Sequence, residues 1–295
     1  MSRYINPYTD FGFKKLFGEE ASKDLLIDFL NAVLPEKHRV KTLDFHNTEQ
    51  LGYTTADRKA IFDIYCTAEN GEHFIVEMQK ARQDWFKDRA LFYSAFPIRN
   101  QAPKGLVEGE DWTYELKAVY LIAILGFEYD KEEERRKLQR NVTLKDQDGD
   151  LFYDKLELIF LQMPLFDKSE SELKTRQDKW YYFLKNLASL EQIPALLREP
   201  IFERAFETAE ISRMSKAEYL AYESHLKAYR DNNAVMATAR AEGEAKGRAE
   251  GKAEGRAEGE ARGRAEVARN LKKKGLPLTL IAEATGLSES EIDRL

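Results

Sequence analysis

Two acidic residues and an amide in the first third of the chain have the types and spacing that metal-assisted chemistry needs. Asp63 lies in one apolar-alternating run, and Glu77 and Gln79 lie in the next. Because side chains alternate across a strand, Glu77 and Gln79 point to one face, with Met78 on the other. Carboxylates from two paired strands that converge on one point can hold a hard divalent cation beside a phosphodiester. The pattern therefore predicts metal-dependent phosphodiester hydrolysis.

The expected cation is Mg²⁺ (or Mn²⁺), which prefers oxygen ligands and keeps several waters that can attack phosphorus. We expect Asp63 and Glu77 to be ligands, with the backbone carbonyl of Met78 as a third. Gln79 would orient the attacking water or contact the scissile phosphate. The alternative interpretation is that both acids lie on the exposed face of an ordinary hairpin.

Five basic residues are candidates for supporting roles. Lys14 and Lys15 on a predicted first helix, and Arg89 on a helix after the hairpin, could bind nucleic-acid phosphates. An amide cannot act as a general base, so proton removal would fall to metal-bound hydroxide or to a lysine such as Lys59 or Lys80. For each of these residues a solvated surface charge is the alternative.

The apolar pattern around these residues predicts the elements that position them. Asn70-Gly71 between the two runs is a strong signal for a β-hairpin. Strands are predicted at about 40–46, 58–67, 72–80, 116–127 and 156–161. Helices are predicted at 10–34 (broken at Gly18 and ended by Pro35), 84–101 and 170–232. Residues 131–140 are expected to be a solvated charged segment, and Asp10 is interpreted as a helix N-cap in preference to an outer-shell acid.

Composition limits the classes of protein that this chain can belong to. Its 295 residues carry a net charge of −6 and a single cysteine, which excludes an intrachain disulfide. No apolar run approaches the roughly 18 residues of a membrane span, and the N-terminus lacks the apolar core of a signal peptide. We expect a cytoplasmic protein with no membrane partner. Nucleic-acid binding would need local basic groups, because the chain as a whole has no broad positive field.

The C-terminal quarter differs in character from the rest. Glycine recurs every fourth residue from Gly243 to Gly263 in Ala-Glu-Gly-Arg/Lys repeats, and residues 239–274 carry 11 Lys/Arg against 7 Glu. This indicates either a polar, marginally helical spacer or a helix that packs closely against another chain through its glycines. Residues 276–292 then read as helix, glycine turn, helix, with Ser288 capping the second helix. The second helix is acidic, which favours a structural or protein-docking role over base reading.

Several motifs together resemble a known group of proteins. They are the segments Asn-Pro-Tyr-Thr-Asp-Phe-Gly-Phe-Lys-Lys-Leu-Phe-Gly at 6–18, Ile-Val-Glu-Met-Gln at 75–79, Asp-Arg-Ala-Leu-Phe-Tyr at 88–93, the apolar strand at 116–127, and the Ala-Glu-Gly repeats before Thr-Gly-Leu-Ser. Over most of residues 5–230 the chain resembles the PD-(D/E)XK phosphodiesterases. It is most similar there to the Rpn family of recombination-promoting nucleases and transposases.

The resemblance implies a Mg²⁺-dependent DNA endonuclease that promotes recombination and is associated with mobile elements. It also implies an α/β fold with a restriction-endonuclease-like core, in which a mixed sheet is flanked by helices, and catalytic positions at Asp63, Glu77 and Gln79. Most of the superfamily carries lysine where Gln79 stands, but Rpn-type members share the glutamine. Gln162, in place of an acid after a later strand, argues against a second metal site there.

We expect four segments: a nuclease-like core at 1–165, a helical subdomain at 166–237, a Gly-repeat arm at 238–266 and a helix-turn-helix-like terminus at 267–295. The arm is a candidate for homo-oligomerisation, which would bring two sites together for double-strand cleavage. The rival hypothesis is a catalytically silent nuclease-fold protein that acts as an oligomerising interaction module, with a toxin-neutralising or scaffold role. RNA as the substrate also stays open, since no motif distinguishes the two sugars.

Overall fold

The structure is a computed structural model that describes residues 2–50, 60–81, 84–102, 114–129 and 136–295. The helices are α1 Asp10–Phe17, α2 Lys23–Val33, α3 Phe86–Asn100, α4 Arg176–Asn186, α5 Pro200–Ala209, α6 Lys216–Lys273, α7 Leu278–Thr285 and α8 Glu289–Asp293. The strands are β1 Leu43–Phe45, β2 Glu49–Gln50, β3 Ala60–Ile61, β4 Ile64–Ala68, β5 His73–Gln79, β6 Val119–Leu125, β7 Gln139–Lys145 and β8 Leu151–Gln162.

A mixed sheet forms the centre of the first part of the chain. Its six strands lie in the order β1-β4-β5-β6-β8-β7, and β2 pairs with β3 separately. The strands β5, β6 and β8 run parallel to one another, whereas the pairs β1–β4, β4–β5 and β7–β8 are antiparallel. The β4–β5 hairpin turns at Gly71, whose φ of +83° suits glycine. The predicted mixed α/β architecture and its hairpin are confirmed.

Helices cover both faces of this sheet, because its central strands are apolar on both sides. Every residue of β6 is buried, as expected for a strand in the middle of a parallel region. One face packs against α1, α2, α4 and α5. The other face packs against α3. Helix α1 ends at Phe17, directly before Gly18, and α2 ends directly before the Leu34-Pro35 pair, so both predicted breaks are confirmed.

An ion pair with an added indole donor joins α2 to α4. Two nitrogens of Arg176 donate to the two carboxylate oxygens of Asp28 at 2.8 Å, and the buried Trp180 Nε1 donates to Asp28 at 2.7 Å. We expect Asp28→Ala to lower the free energy of unfolding by about 2–3 kcal/mol, because it leaves the indole N–H buried without an acceptor. Urea denaturation measures this change. Glu207→Ala, which removes an exposed pair with Arg213, is the control and should change stability by less than about 1 kcal/mol.

One strand of the sheet departs from the prediction. Gln139–Lys145 forms β7, an edge strand paired with β8, although residues 131–140 were expected to be a solvated charged segment. Residues 131–135 lie outside the described residues. Every residue of β7 is exposed or half-buried, so it lacks the apolar alternation by which a strand is recognised. Gln139 nevertheless ties β7 to the helices, since its amide donates to the Val33 carbonyl at 3.1 Å.

The chain divides into two compact units, Met1–Tyr229 and Arg230–Leu295. The glycine repeats are helical throughout, within α6. Pairs such as Arg256–Glu260, at 2.9 Å, partly offset the roughly 1 kcal/mol that each glycine costs a helix relative to alanine. A Cβ placed on any glycine from Gly243 to Gly263 would meet no other part of the described chain within 4 Å.

The end of the second unit consists of two short helices with a glycine turn between them. Helices α7 and α8 are joined at Gly286, whose φ is +71°, and Ser288 and Glu291 form a capping box. Ala268, Ile281 and Ile292 make a small core of their own. None of the helices in the described ranges is long and apolar enough to cross a membrane.

Candidate active site

The hairpin places the three predicted catalytic residues together at one end of the sheet. Asp63 immediately precedes β4, and Glu77 and Gln79 lie near the end of β5. The backbone N–H of Met78 donates to Asp63 Oδ2 at 2.7 Å, and the N–H of Asp63 donates to Glu77 Oε1 at 3.1 Å. Gln79 Nε2 donates to Glu77 Oε2 at 3.4 Å. The two carboxylates are thus held side by side through the backbone of the neighbouring strand.

Burial and mutual repulsion disfavour the state in which both Asp63 and Glu77 are ionised. Glu77 is only 5% exposed, and burial, followed by the charge of Asp63, raises its pKa to about 8. Burial also raises the pKa of Asp63, which the Met78 N–H opposes. At neutral pH the pair therefore holds a proton that a divalent cation could replace.

The donor set fits a magnesium-type ion. Among the residues that the structure describes, no group of three His, Cys, Asp or Glu side chains could enclose a metal. Mg²⁺ does not need such a cage, since it is usually bound through one or two carboxylates and keeps several waters. Two buried carboxylates that repel each other are the feature that fits a dication. The side chain of Met78 packs in the core on the opposite face, as predicted.

Helix α1 brings a third acid near the pair. The preferred interpretation of Asp10 as an N-cap is wrong, because the side chain of Thr9 caps α1 by accepting from the Gly12 N–H at 3.0 Å. Asp10 instead pairs with Lys14 at 3.0 Å and with His225 at 3.7 Å. Its charge also raises the pKa of Asp63. Asp10 therefore lies near Asp63, and its outer-shell role stays a prediction.

Two lysines add positive charge on this side of the pair. The charges of Lys14 and Lys80 both lower the pKa of Asp63, against the larger effect of burial. Burial lowers the pKa of Lys80 itself, and its Nζ lies 5.8 Å from the Tyr229 ring centroid. Lys59 lies outside the described residues. Both lysines and Asp10 surround Asp63 from the α1 side of the sheet end.

Lys15 has a different environment from its neighbour on the helix. Its ammonium pairs with Glu218 at 2.6 Å and with Glu19 at 3.2 Å. The hydrogen bond from Lys15 lowers the pKa of Glu218 to about 2, so this contact joins α1 to the start of α6. The structure therefore places Lys15 in an ion pair between helices.

On the α3 side, Glu77 opens onto a narrow pocket of about 10 Å³, which is close to the room that one water needs. The pocket is lined by Glu77, Gln79, Phe86, Arg89, Ala90, Tyr93, Leu121, Ala123 and Phe160. The charge of Arg89 lowers the pKa of Glu77, against burial, and its guanidinium lies 5.5 Å from the Tyr93 ring centroid. Arg89 thus lies beside Glu77, and its contact with a phosphate stays a prediction.

Two further residues, Gly126 and Gln162, have roles that the sequence alone did not reveal. Gly126 donates from its N–H to the Gln79 carbonyl at 2.8 Å, and a Cβ there would lie 2.8 Å from the Lys80 carbonyl. In the sequence, the position of Gly126 directly after the buried apolar run could have indicated this close approach. Gln162 is fully buried, and its side chain bonds to the backbone of Tyr129 and Lys137. These bonds hold the backbone of Tyr129 and Lys137, so Gln162 has a structural role.

The sheet order, the carboxylate-bearing hairpin and the helices on both faces define an α/β protein with a restriction-endonuclease-like core. A family model described as PD-(D/E)XK nuclease family transposase matches residues 7–239, and the chain belongs to that family. Neither the curated proteins nor the solved structures include a significant match to this chain. The resemblance predicted from the motifs is confirmed.

Proposed function

We propose that the protein is a Mg²⁺-dependent DNA endonuclease that promotes recombination. The observation that carries this proposal is the buried carboxylate pair of Asp63 and Glu77, set at the end of a nuclease-family sheet and flanked by Lys14, Lys80 and Arg89. Two carboxylates that do not both ionise on their own can both ionise when a ligand with two positive charges lies between them. The family match supports DNA as the substrate.

In this proposal Asp63 and Glu77 hold the cation, with the Met78 carbonyl as a third ligand. Bound Mg²⁺ (or Mn²⁺) would polarise the phosphoryl oxygens and lower the pKa of the attacking water. Gln79 positions that water or the scissile phosphate, and its present bond to Glu77 keeps its amide at the site. Proton removal would fall to metal-bound hydroxide or to Lys80, whose pKa is lowered by burial.

The basic side chains near the pair are proposed to position the DNA backbone. Lys14 and Arg89 lie on the α1 and α3 sides of the carboxylates, so they can contact phosphates on either side of the scissile bond. Lys15 would have to exchange its ion pair with Glu218 for a phosphate. Local contacts of this kind suit a chain whose net charge is −6.

The organisation of the chain in this proposal follows the four predicted segments. The core at 1–165 and the subdomain at 166–237 carry the site, and the arm at 238–266 pairs two copies through its glycines. The absence of other described atoms near those glycines leaves space for a second helix. The terminus at 267–295 has a structural or docking role, and the cytoplasm is the proposed compartment.

Metal removal tests the proposed function. We expect supercoiled plasmid to be nicked in Mg²⁺ or Mn²⁺, nicking to stop in EDTA, and activity to return when excess Mg²⁺ is added. Direct titration with Mg²⁺, followed by calorimetry, should show binding that is lost in a protein lacking both Asp63 and Glu77 carboxylates. A purified protein that binds no Mg²⁺ and cuts neither DNA nor RNA would favour the silent interaction module instead.

A further inference from the structure

We propose that Trp85 and Phe92, called here the α3 platform, stack on unpaired nucleobases beside the Glu77 pocket. The substrate class is then DNA with unpaired bases next to the scissile phosphate. This inference rests on the proposed function, since it assigns a substrate feature to the same site. Its test below uses binding, so that it can succeed or fail independently of cleavage.

The platform is exposed and adjoins the pocket. Trp85 is 79% exposed and Phe92 is 46% exposed, although both are large aromatic residues. Arg89 and Phe92 are i, i+3 neighbours on one side of α3, and Trp85 directly precedes the helix, so the two aromatic residues flank Arg89 in the chain. Arg89 lines the pocket with Glu77. The backbone N–H of Arg89 donates to the Trp85 carbonyl at 2.9 Å. A base on the platform would therefore place its phosphate near Arg89.

The backbone at Trp85 holds the indole outside the core. Its φ of +64° is in the left-handed region, which is unfavourable for a large side chain. The next residue, Phe86, is buried in the pocket wall. The chain thus turns at this point so that one aromatic residue packs inward and the preceding one faces solvent. Backbone strain at the edge of a site is consistent with a role in ligand contact.

Charge identifies the kind of ligand that fits the platform. Residues 84–100 carry Lys87, Arg89 and Arg99 against Asp84 and Asp88, which is a net +1 in a chain of net −6. Flat aromatic side chains among cations match a nucleotide, which combines a flat base with an anionic phosphate. An apolar protein partner would gain little from these cations.

The platform also distinguishes between paired and unpaired DNA. In a duplex both faces of an internal base are covered by its neighbours, so an indole cannot stack on it without unstacking the helix. A base in a single strand, bulge or junction has a free face. Stacking there, with the phosphate held at Arg89, would direct the carboxylate pair to the backbone beside the unpaired segment.

The test is fluorescence anisotropy in EDTA, so that no cleavage occurs. The labelled probes are a single-stranded oligonucleotide, the same sequence as a blunt duplex, and that duplex with an unpaired bulge. We expect the wild type to bind the single strand and the bulge more tightly than the blunt duplex. Trp85→Ala should weaken binding to the unpaired probes about tenfold and leave blunt-duplex binding unchanged. Trp85→Phe should retain most of the affinity, and Phe92→Ala should weaken the same probes.

Phe152→Ala is the matched control. Phe152 is 78% exposed, almost the same as Trp85, but it lies on β8 eight residues before the pocket residue Phe160. That separation is roughly 25 Å along a strand, so this variant should bind all three probes like the wild type. Circular dichroism of each variant checks that the fold is retained.

Equal binding of Trp85→Ala and the wild type to the unpaired probes would overturn the platform, whether or not the enzyme cuts DNA. A variant that changes only self-association, measured by sedimentation, would also overturn it and assign these residues to a protein interface. If the wild type binds unpaired DNA through Trp85 but never nicks a plasmid, the platform stands and the proposed nuclease activity fails.

Discussion

Glu77→Gln and Asp63→Asn are each expected to reduce the rate of plasmid nicking on the order of 10³-fold. Each substitution keeps the shape of the side chain but removes a charge that the proposed cation needs. The surrounding hydrogen bonds survive in part, because an amide oxygen can still accept from the N–H groups of Asp63 or Met78. Loss of activity should therefore occur in a folded protein. Initial nicking rates in Mg²⁺, with circular dichroism of the same samples, measure both properties.

Glu157→Gln is the matched control for these two variants. Glu157 is also a buried carboxylate on a strand of the sheet, but its partner is Asn141, at 2.6 Å. It lies on β8 and takes no part in the pocket beside Glu77. This variant should nick plasmid at close to the wild-type rate. Wild-type activity in Glu77→Gln, or an equal loss in Glu157→Gln, would contradict the assignment of the site.

The stability of the metal-free protein is expected to fall as the pH rises from about 5 to about 8. In the folded state Glu77 keeps its proton up to a pKa of about 8, whereas an ordinary glutamate loses it near 4.5. Between these values the folded state binds more protons than the unfolded state, so deprotonation favours unfolding. The raised pKa of Asp63 acts in the same direction. The change in unfolding free energy should be on the order of 3 kcal/mol across this range.

Comparison with Glu77→Gln isolates this contribution. The lowered pKa of His73 works in the opposite direction, because burial disfavours its charged form and stability is gained as the pH rises. The pKa of Glu218 is lowered to about 2, so its contribution to the free energy of unfolding is lost only at a pH below this range. His73 and Glu218 are present in both the wild type and Glu77→Gln, so their effects cancel when the two unfolding free energies are subtracted. Urea denaturation in EDTA at several pH values should show that the unfolding free energy falls more steeply with rising pH in the wild type than in Glu77→Gln.

Added Mg²⁺ should reverse this loss, because the cation takes the place of the shared proton. We expect the increase in melting temperature on adding Mg²⁺ to be larger at pH 8 than at pH 6, and to be absent in Glu77→Gln. A wild-type increase that does not depend on pH would indicate binding elsewhere on the protein. Parallel slopes for the wild type and the variant in EDTA would show that Glu77 does not hold its proton at neutral pH.

Local patterns in the sequence were sufficient to predict the hairpin and the three residues on it. Strand alternation places Glu77 and Gln79 on one face, and Asn70-Gly71 gives the turn that sets Asp63 opposite Glu77. The breaks at Gly18 and Pro35, and the Ser288 capping box, depend on similarly short-range chemistry. These features depend on residues that are close in sequence, so they can be predicted from one amino-acid sequence alone.

Tertiary contacts decided the rest. Strand β7 has little apolar periodicity because it lies at an edge, and only its pairing with β8 makes it a strand. Lys14 and Lys15 are adjacent in sequence but about 100° apart on a helix, and the fold sends one toward Asp63 and the other to Glu218. Asp10 acts near Asp63 because α1 packs at the end of the hairpin. These outcomes depend on which distant elements meet, and that is determined by packing of the whole core.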